Sequence, residues 1–210
     1  MKYLGYIILV LILSSCCRSE LNDTIRFNQS DLLIIPYTGD ETLTFVDDSN
    51  NIISYDNGSR EIKSRQFDEH KGGFCSDYFM VELFDITNFK SDYKDSDLSV
   101  KIQNDFDVDN PSQTSATLKI TWNYDGIGTN STQTYFPSDL TLNTFKEEAI
   151  EEGKYQEFIT LRSTNFKDIF IFPGNSPHPE RLHGDTLYYS IEEGIVGIRF
   201  SDGNLWVIQQ

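Results

Sequence analysis

The chain predicts an all-β protein: an antiparallel sandwich or open curved barrel of about a dozen strands, with one short helix near residues 145–152. Three observations lead there. From Asp31 onward, short apolar segments repeat with period two, which places every second side chain on the same face of a strand. Clusters of Gly, Asn and Asp divide these segments at hairpin spacing. Aromatic residues make up 13% of the 210 residues, enough to furnish a packed core and to argue against disorder.

The amino terminus stands apart. An unbroken apolar run of eleven residues, Tyr3 to Leu13, follows Lys2. A membrane-spanning helix needs about 20, so the run fits the apolar core of a removable secretory signal. It ends in Leu13-Ser14-Ser15-Cys16, which resembles the lipobox of bacterial lipoproteins, where a cysteine is acylated before the leader is cut away. Choosing the adjacent Cys17 would put Cys16 at a cleavage position that favours Gly, Ala or Ser, so Cys16 is the expected lipidation site. Several acyl chains make such an anchor effectively permanent, each buried methylene contributing about 0.8 kcal/mol.

The expected organisation is a signal peptide over 1–15, a polar tether over 16–30 and a single β-rich domain over 31–210. Within the tether, Asp23-Thr24-Ile25 resembles the Asp-Thr-aliphatic sequon on which exported proteins of Bacteroidota carry O-glycans, making Thr24 a candidate glycosylation site. A second match, Asp185-Thr186-Leu187, falls where a strand begins.

Along the domain, Thr38-Gly39-Asp40 turns into a strand carrying Leu43 and Phe45, and Asp56-Asn57-Gly58 offers residues that tolerate positive φ in a tight hairpin. Tyr78 to Phe84 is apolar on both faces, as is Phe166 to Phe172, so both should be central or covered. Leu98, Val100 and Ile102 alternate inward. In Thr117 to Tyr124, Leu118, Ile120, Trp122 and Tyr124 share one face and Thr117, Lys119, Thr121 and Asn123 the other. Thr144-Phe145-Lys146-Glu147 reads as a capping box opening a helix that stops at Gly153, with Phe145 and Ala149 facing inward and Ile150 at the margin. Pro173 to Pro179 is a long loop. Gly194 serves a hairpin turn, Val196, Ile198 and Phe200 point inward, Gly197 admits a close neighbour such as Trp206, and Asp202-Gly203 forms the last turn.

Charge narrows the partners. There are 17 basic and 33 acidic residues, net −16; loss of residues 1–15 removes only Lys2 and leaves −17. Nucleic acid is therefore excluded as an expected partner, because its binding rests on Lys and Arg at phosphates. The expected attachment is to membrane through the lipid, with a protein or small-molecule partner left unnamed.

No motif calls for a cofactor, a metal or catalysis. Asp105-Phe106-Asp107-Val108-Asp109-Asn110 starts like a calcium loop, but Asn110 stands where the turn needs Gly and Ala116 where a bidentate acid belongs. His70, His178 and His183, with Glu180, match no compact zinc spacing. Glu147, Glu148, Glu151 and Glu152 form a solvated helix face whose repulsion Lys146 and Lys154 offset in part. Neither a nucleophile elbow nor a phosphate-cradling glycine loop is present. Cys75 is either lone and buried or bridged to Cys17.

The carboxyl-terminal residues carry a second resemblance. Phe158-Ile159-Thr160-Leu161, Asn165 to Phe170, Leu187-Tyr188-Tyr189-Ser190, Gly194 to Ile198 and Asp202 to Val207 are similar to the ending of uncharacterised lipoproteins of Bacteroidota, with Ile35-Pro36-Tyr37-Thr38-Gly39 loosely similar to their opening. The resemblance implies fold and compartment and lends no residue a catalytic role. The expected protein is a non-enzymatic, lipid-anchored lipoprotein of the outer membrane, on its periplasmic or surface face, acting in binding or envelope assembly. A carrier whose aromatic residues line an apolar cavity is the alternative, and a carbohydrate-active hydrolase using paired carboxylates is a third. Cys17-Arg18-Ser19-Glu20 supplies one acid as a cue for surface display.

Overall fold

The computed structural model describes residues 21–27, 32–69, 77–92, 96–105, 115–123, 130–137, 142–174 and 183–209. Period-two segments become strands wherever one face can reach the core. In chain order these are β1 (Leu21–Ile25), β2 (Leu43–Val46), β3 (Ile52–Glu69), β4 (Asp77–Lys90), β5 (Asp97–Asp105), β6 (Ser115–Asn123) and β7 (Asn130–Pro137), then helix α1 (Leu142–Glu151), then β8 (Tyr155–Leu161), β9 (Thr164–Pro173), β10 (Gly184–Ser190), β11 (Gly194–Phe200) and β12 (Leu205–Ile208). The sheet runs β7-β6-β5-β4-β3-β2-β12-β11-β10-β9-β8 and does not close, while β1 pairs with β4 off that path. Among the described ladders, that of β1 with β4 is parallel and those of the other strand pairs are antiparallel. The all-β, open curved architecture expected from the sequence is the one observed.

The described residues divide into two units. One holds residues up to 26 together with 64–82; the other holds 27–63 and 83–210. In the first, Leu21 lies opposite Tyr78, Thr24 opposite Met80 and Ile25 opposite Val81. Residues 21–25, expected within the polar tether, form a strand.

In the second unit, inward residues of neighbouring strands meet in register. Leu98 faces Trp122, Val100 faces Ile120 and Ile102 faces Leu118 across β5 and β6, all of them buried. Trp122 packs against Phe45 at 5.0 Å, Tyr55 at 5.3 Å and Phe200 at 6.3 Å between ring centroids, so the sheet curves until β6 faces β2, β3 and β11. These tilted and edge-on contacts suit the quadrupoles of the rings. On the other face of the carboxyl-terminal strands a smaller cluster gathers Leu161, Phe166, Ile169, Tyr188, Val196 and Val207. β9 contributes to both clusters, Phe170 and Phe172 to the larger and Phe166 and Ile169 to the smaller, which explains a segment apolar on both faces.

Three local expectations change. Asp56-Asn57-Gly58 is no hairpin: β3 runs straight through it, with Asn57 at φ 48°. A Cβ on Gly58 would lie 2.2 Å from the Gly39 carbonyl oxygen and 2.8 Å from the Phe89 ring, so the glycine admits a crossing segment. On β11, Tyr188 pairs with Gly197 but Tyr189 with Ile195, leaving Val196 as the extra residue of a bulge. The bulge turns Val196 to the smaller cluster, away from Ile198 and Phe200. Helix α1 starts at Leu142, so Thr144 is inside it and not its cap. Its end is as expected: Lys154 N–H donates to the Ala149 carbonyl at 2.7 Å and Gly153 N–H to that of Ile150 at 3.0 Å, with Gly153 at φ 69°. Tyr78 to Phe84, expected to be central or covered, lies on β4, which is central between β3 and β5, and Phe84 itself is partly buried on the face opposite the core.

Candidate functional site

The densest polar constellation is built on Arg60 and Asp85. Asp85 occupies an inward position on β4, its side chain fully buried, and Arg60 comes from β3. Arg60 Nε lies 3.1 Å from both Asp85 oxygens and Nη2 2.6 Å from Oδ2. Its remaining donors reach the carbonyls of Leu32 at 3.2 Å, Ile35 at 3.3 Å and Tyr37 at 2.7 Å. Every edge of the guanidinium is therefore used, and a buried charge needs that degree of satisfaction. The pair fastens segment 32–37 onto the sheet.

Two tyrosines fasten the same segment from the other side. Tyr189 donates to the Ile34 carbonyl at 2.5 Å, and the Tyr37 phenol oxygen accepts the Ile195 N–H at 2.6 Å. Burial pushes both phenols far above the usual tyrosine range, so both stay neutral. At the end of the segment, Glu41 accepts from Thr38 N–H, Thr38 Oγ1 and Gly39 N–H. Burial alone would raise the Glu41 carboxyl, but these bonds outweigh it and hold it low. Ile35 to Gly39 and the Tyr188-Tyr189-Ser190/Gly194 to Ile198 strands, singled out separately in the sequence, are thus one joined structure.

Lys146, Tyr155 and Asp168 form a second cluster at the surface. Lys146 Nζ is 2.5 Å from Asp168 Oδ1 and 4.6 Å from the centre of the Tyr155 ring, and the Tyr155 hydroxyl donates to the same oxygen. The bond to Asp168 holds the Lys146 ammonium above its usual range, and the bond from Lys146 holds Asp168 below its own. Both charges are thereby fixed, which makes the trio a clamp between α1 and β9, not a proton shuttle. Lys146 was expected to balance the helix acids; it reaches β9 instead. Lys154 does meet Glu152, at 2.6 Å.

Phe84 organises the open face of β4 and β5. Lys63 Nζ stands 5.6 Å and Lys101 Nζ 5.2 Å from its ring centre, within cation–π range. Lys101 lies directly opposite Lys119 on β6, and Lys63 also meets Glu61 at 2.7 Å. In a strongly acidic chain this brings two ammonium groups onto a partly exposed ring, with Lys119 in register beside Lys101. The sequence signal was present as period two: Phe84, Ile86 and Asn88 alternate with Asp85, Thr87 and Phe89.

Sequence-predicted sites fare unevenly. Cys16, Cys17, Cys75, His70, His178, Glu180, Tyr124, Asp107, Asp109 and Asn110 lie outside the described residues. Thr24 is half-buried on β1, its N–H donating to Asp23 Oδ1 at 2.7 Å. His183 pairs its backbone with Ser201, and Asp105 closes β5. Among the described residues no group of three His, Cys, Asp or Glu could hold a metal, and no helix is long and apolar enough to cross a membrane. Trp122, Ile120, Leu187 and Ile198 line a partly open pocket of about 20 Å³, and larger open grooves of about 290 and 340 Å³ lie beside Arg162 and Val207 and beside Ile52 and Ser91.

No protein-family model matches the chain, and neither the curated proteins nor the solved structures contain a significant match.

Proposed function

We propose that this protein is a lipid-anchored, non-enzymatic lipoprotein of the cell envelope, related to the Bacteroidota lipoproteins it resembles, whose β domain serves as a binding or assembly module. The observation that carries the reading is the apolar run Tyr3 to Leu13 followed by Leu13-Ser14-Ser15-Cys16. The open face around Phe84, Lys63, Lys101 and Lys119 supports a module that meets its partner on a surface. The buried polar groups Arg60, Asp85, Tyr37 and Tyr189 are engaged in holding backbone, which supports a structural role for them.

Growth with an alkyne analogue of palmitate, followed by conjugation to a dye, tests the anchor. The full-length chain should be labelled and partition with membranes, and Cys16→Ser should abolish both. Label that persists in Cys16→Ser and disappears in Cys17→Ser would move the anchor by one residue. Absence of label in the unaltered chain would overturn the reading.

A further inference from the structure

Resting on acylation at Cys16, we propose that β1 and the neighbouring residues of β3 and β4, 64–69 and 77–82, form the surface this protein turns toward the phospholipid headgroups. Were residues 16–30 all free tether, the domain could stand up to about 50 Å from its anchor, at about 3.3–3.6 Å per residue. Instead Leu21 is already in a ladder with Tyr78. Five Cα steps separate Cys16 from Leu21, a reach of about 18 Å when fully extended. The headgroup layer takes up about 5–8 Å of that. What remains, about 10–13 Å, is less than the length of the five-residue strand β1 itself, about 17 Å. The leash is too short for free tumbling, and the strand it enters must lie near the bilayer.

The side chains on these strands suit a headgroup surface without insertion. Leu21 is 48% exposed, and the Arg65 guanidinium lies 5.4 Å from the Phe67 ring centre, an apolar body with a charged tip. Arg26 stands largely in solvent, 3.9 Å from Glu82. Asp23, Asp68 and Glu82 outnumber Arg26 and Arg65, so anionic lipid is not what draws this surface down. The occupant is a phospholipid headgroup layer held against it by the tether.

The purified full-length acylated protein, reconstituted in phosphatidylethanolamine and phosphatidylglycerol vesicles doped with a headgroup-diazirine phospholipid, provides the test. After illumination, cross-links mapped by mass spectrometry should concentrate in 21–26, 64–69 and 77–82. Inserting twenty Gly/Ser residues between Glu20 and Leu21 should lower those cross-links about ten-fold, since effective concentration falls as roughly the −3/2 power of linker length. Intact mass reports acylation of both proteins. Acylated protein whose cross-links avoid these segments, or whose cross-links survive the insertion, overturns the proposal while leaving the anchor in place. Unacylated protein overturns the anchor and this proposal with it.

Discussion

The Tyr37 phenol accepts the Ile195 N–H at 2.6 Å directly over Gly194, where a Cβ would come within 2.0 Å of Tyr37 Oη. Gly194 also sits at φ 79°. Gly194→Ala should therefore cost about 3–5 kcal/mol, combining left-handed backbone strain with overpacking. Gly203, at φ 89° with open space around it, supplies the comparison. Gly203→Ala should cost only about 1–2 kcal/mol. Urea unfolding of both variants checks the contrast, and equal losses would refute the role given to Tyr37.

Asp85 is the buried half of a charged pair whose other half holds three carbonyls. Asp85→Ala leaves the Arg60 charge without its partner and should lose about 3–5 kcal/mol. Proteolysis should then cut first near segment 32–37, the stretch Arg60 fastens. Limited digestion followed by amino-terminal sequencing of the fragments reads this directly.

Acid should weaken the fold through Asp47. Its carboxylate accepts from Ser49 N–H at 2.9 Å, Asn51 N–H at 2.7 Å, Asn51 Nδ2 at 2.8 Å and Asn204 Nδ2 at 3.4 Å. Burial raises its pKa, but these bonds prevail and the folded value lies below the unfolded one, about 3.9. The stabilisation is thus fully present above the unfolded value and is lost as pH falls through the folded one. Denaturation midpoints measured from neutral pH down into acid should drop steeply in the native chain and more shallowly in Asp47→Asn.

Phe84 on β4 and Trp122 on β6 belong to opposite faces of the sheet and should behave oppositely. Trp122→Ala empties the centre of the ring cluster, a loss of about 3–5 kcal/mol. Phe84→Ala removes two exposed cation–π contacts worth about 0.5–1 kcal/mol each, leaving the fold intact. Thermal unfolding separates the two, and a large loss for Phe84→Ala would show that its face is covered.

Strands with one wet face were legible because alternation records burial directly, as Leu98, Val100, Ile102 and Leu118, Ile120, Trp122 show. So was the end of α1, where Gly153 leaves a local signature. What was hidden depends on partners distant in sequence. Asn57-Gly58 has the composition of a hairpin, yet Gly39 and Phe89 make the glycine a crossing point inside a strand. The bulge at Val196 is visible only against the register of β10. Arg60 and Asp85 stand 25 residues apart, and neither neighbourhood names the other. β1 escaped notice because five polar-rich residues become a strand only when β4 offers them an edge.

That edge also sets an order of events during synthesis. Leu21 leaves the ribosome well ahead of Tyr78, its opposite number 57 positions later. In the interval Leu21–Ile25 lacks the β4 strand it pairs with. Pairing across so long a separation closes late. Under the proposed acylation of Cys16, the ladder shortens the leash only once residues through Val81 have emerged.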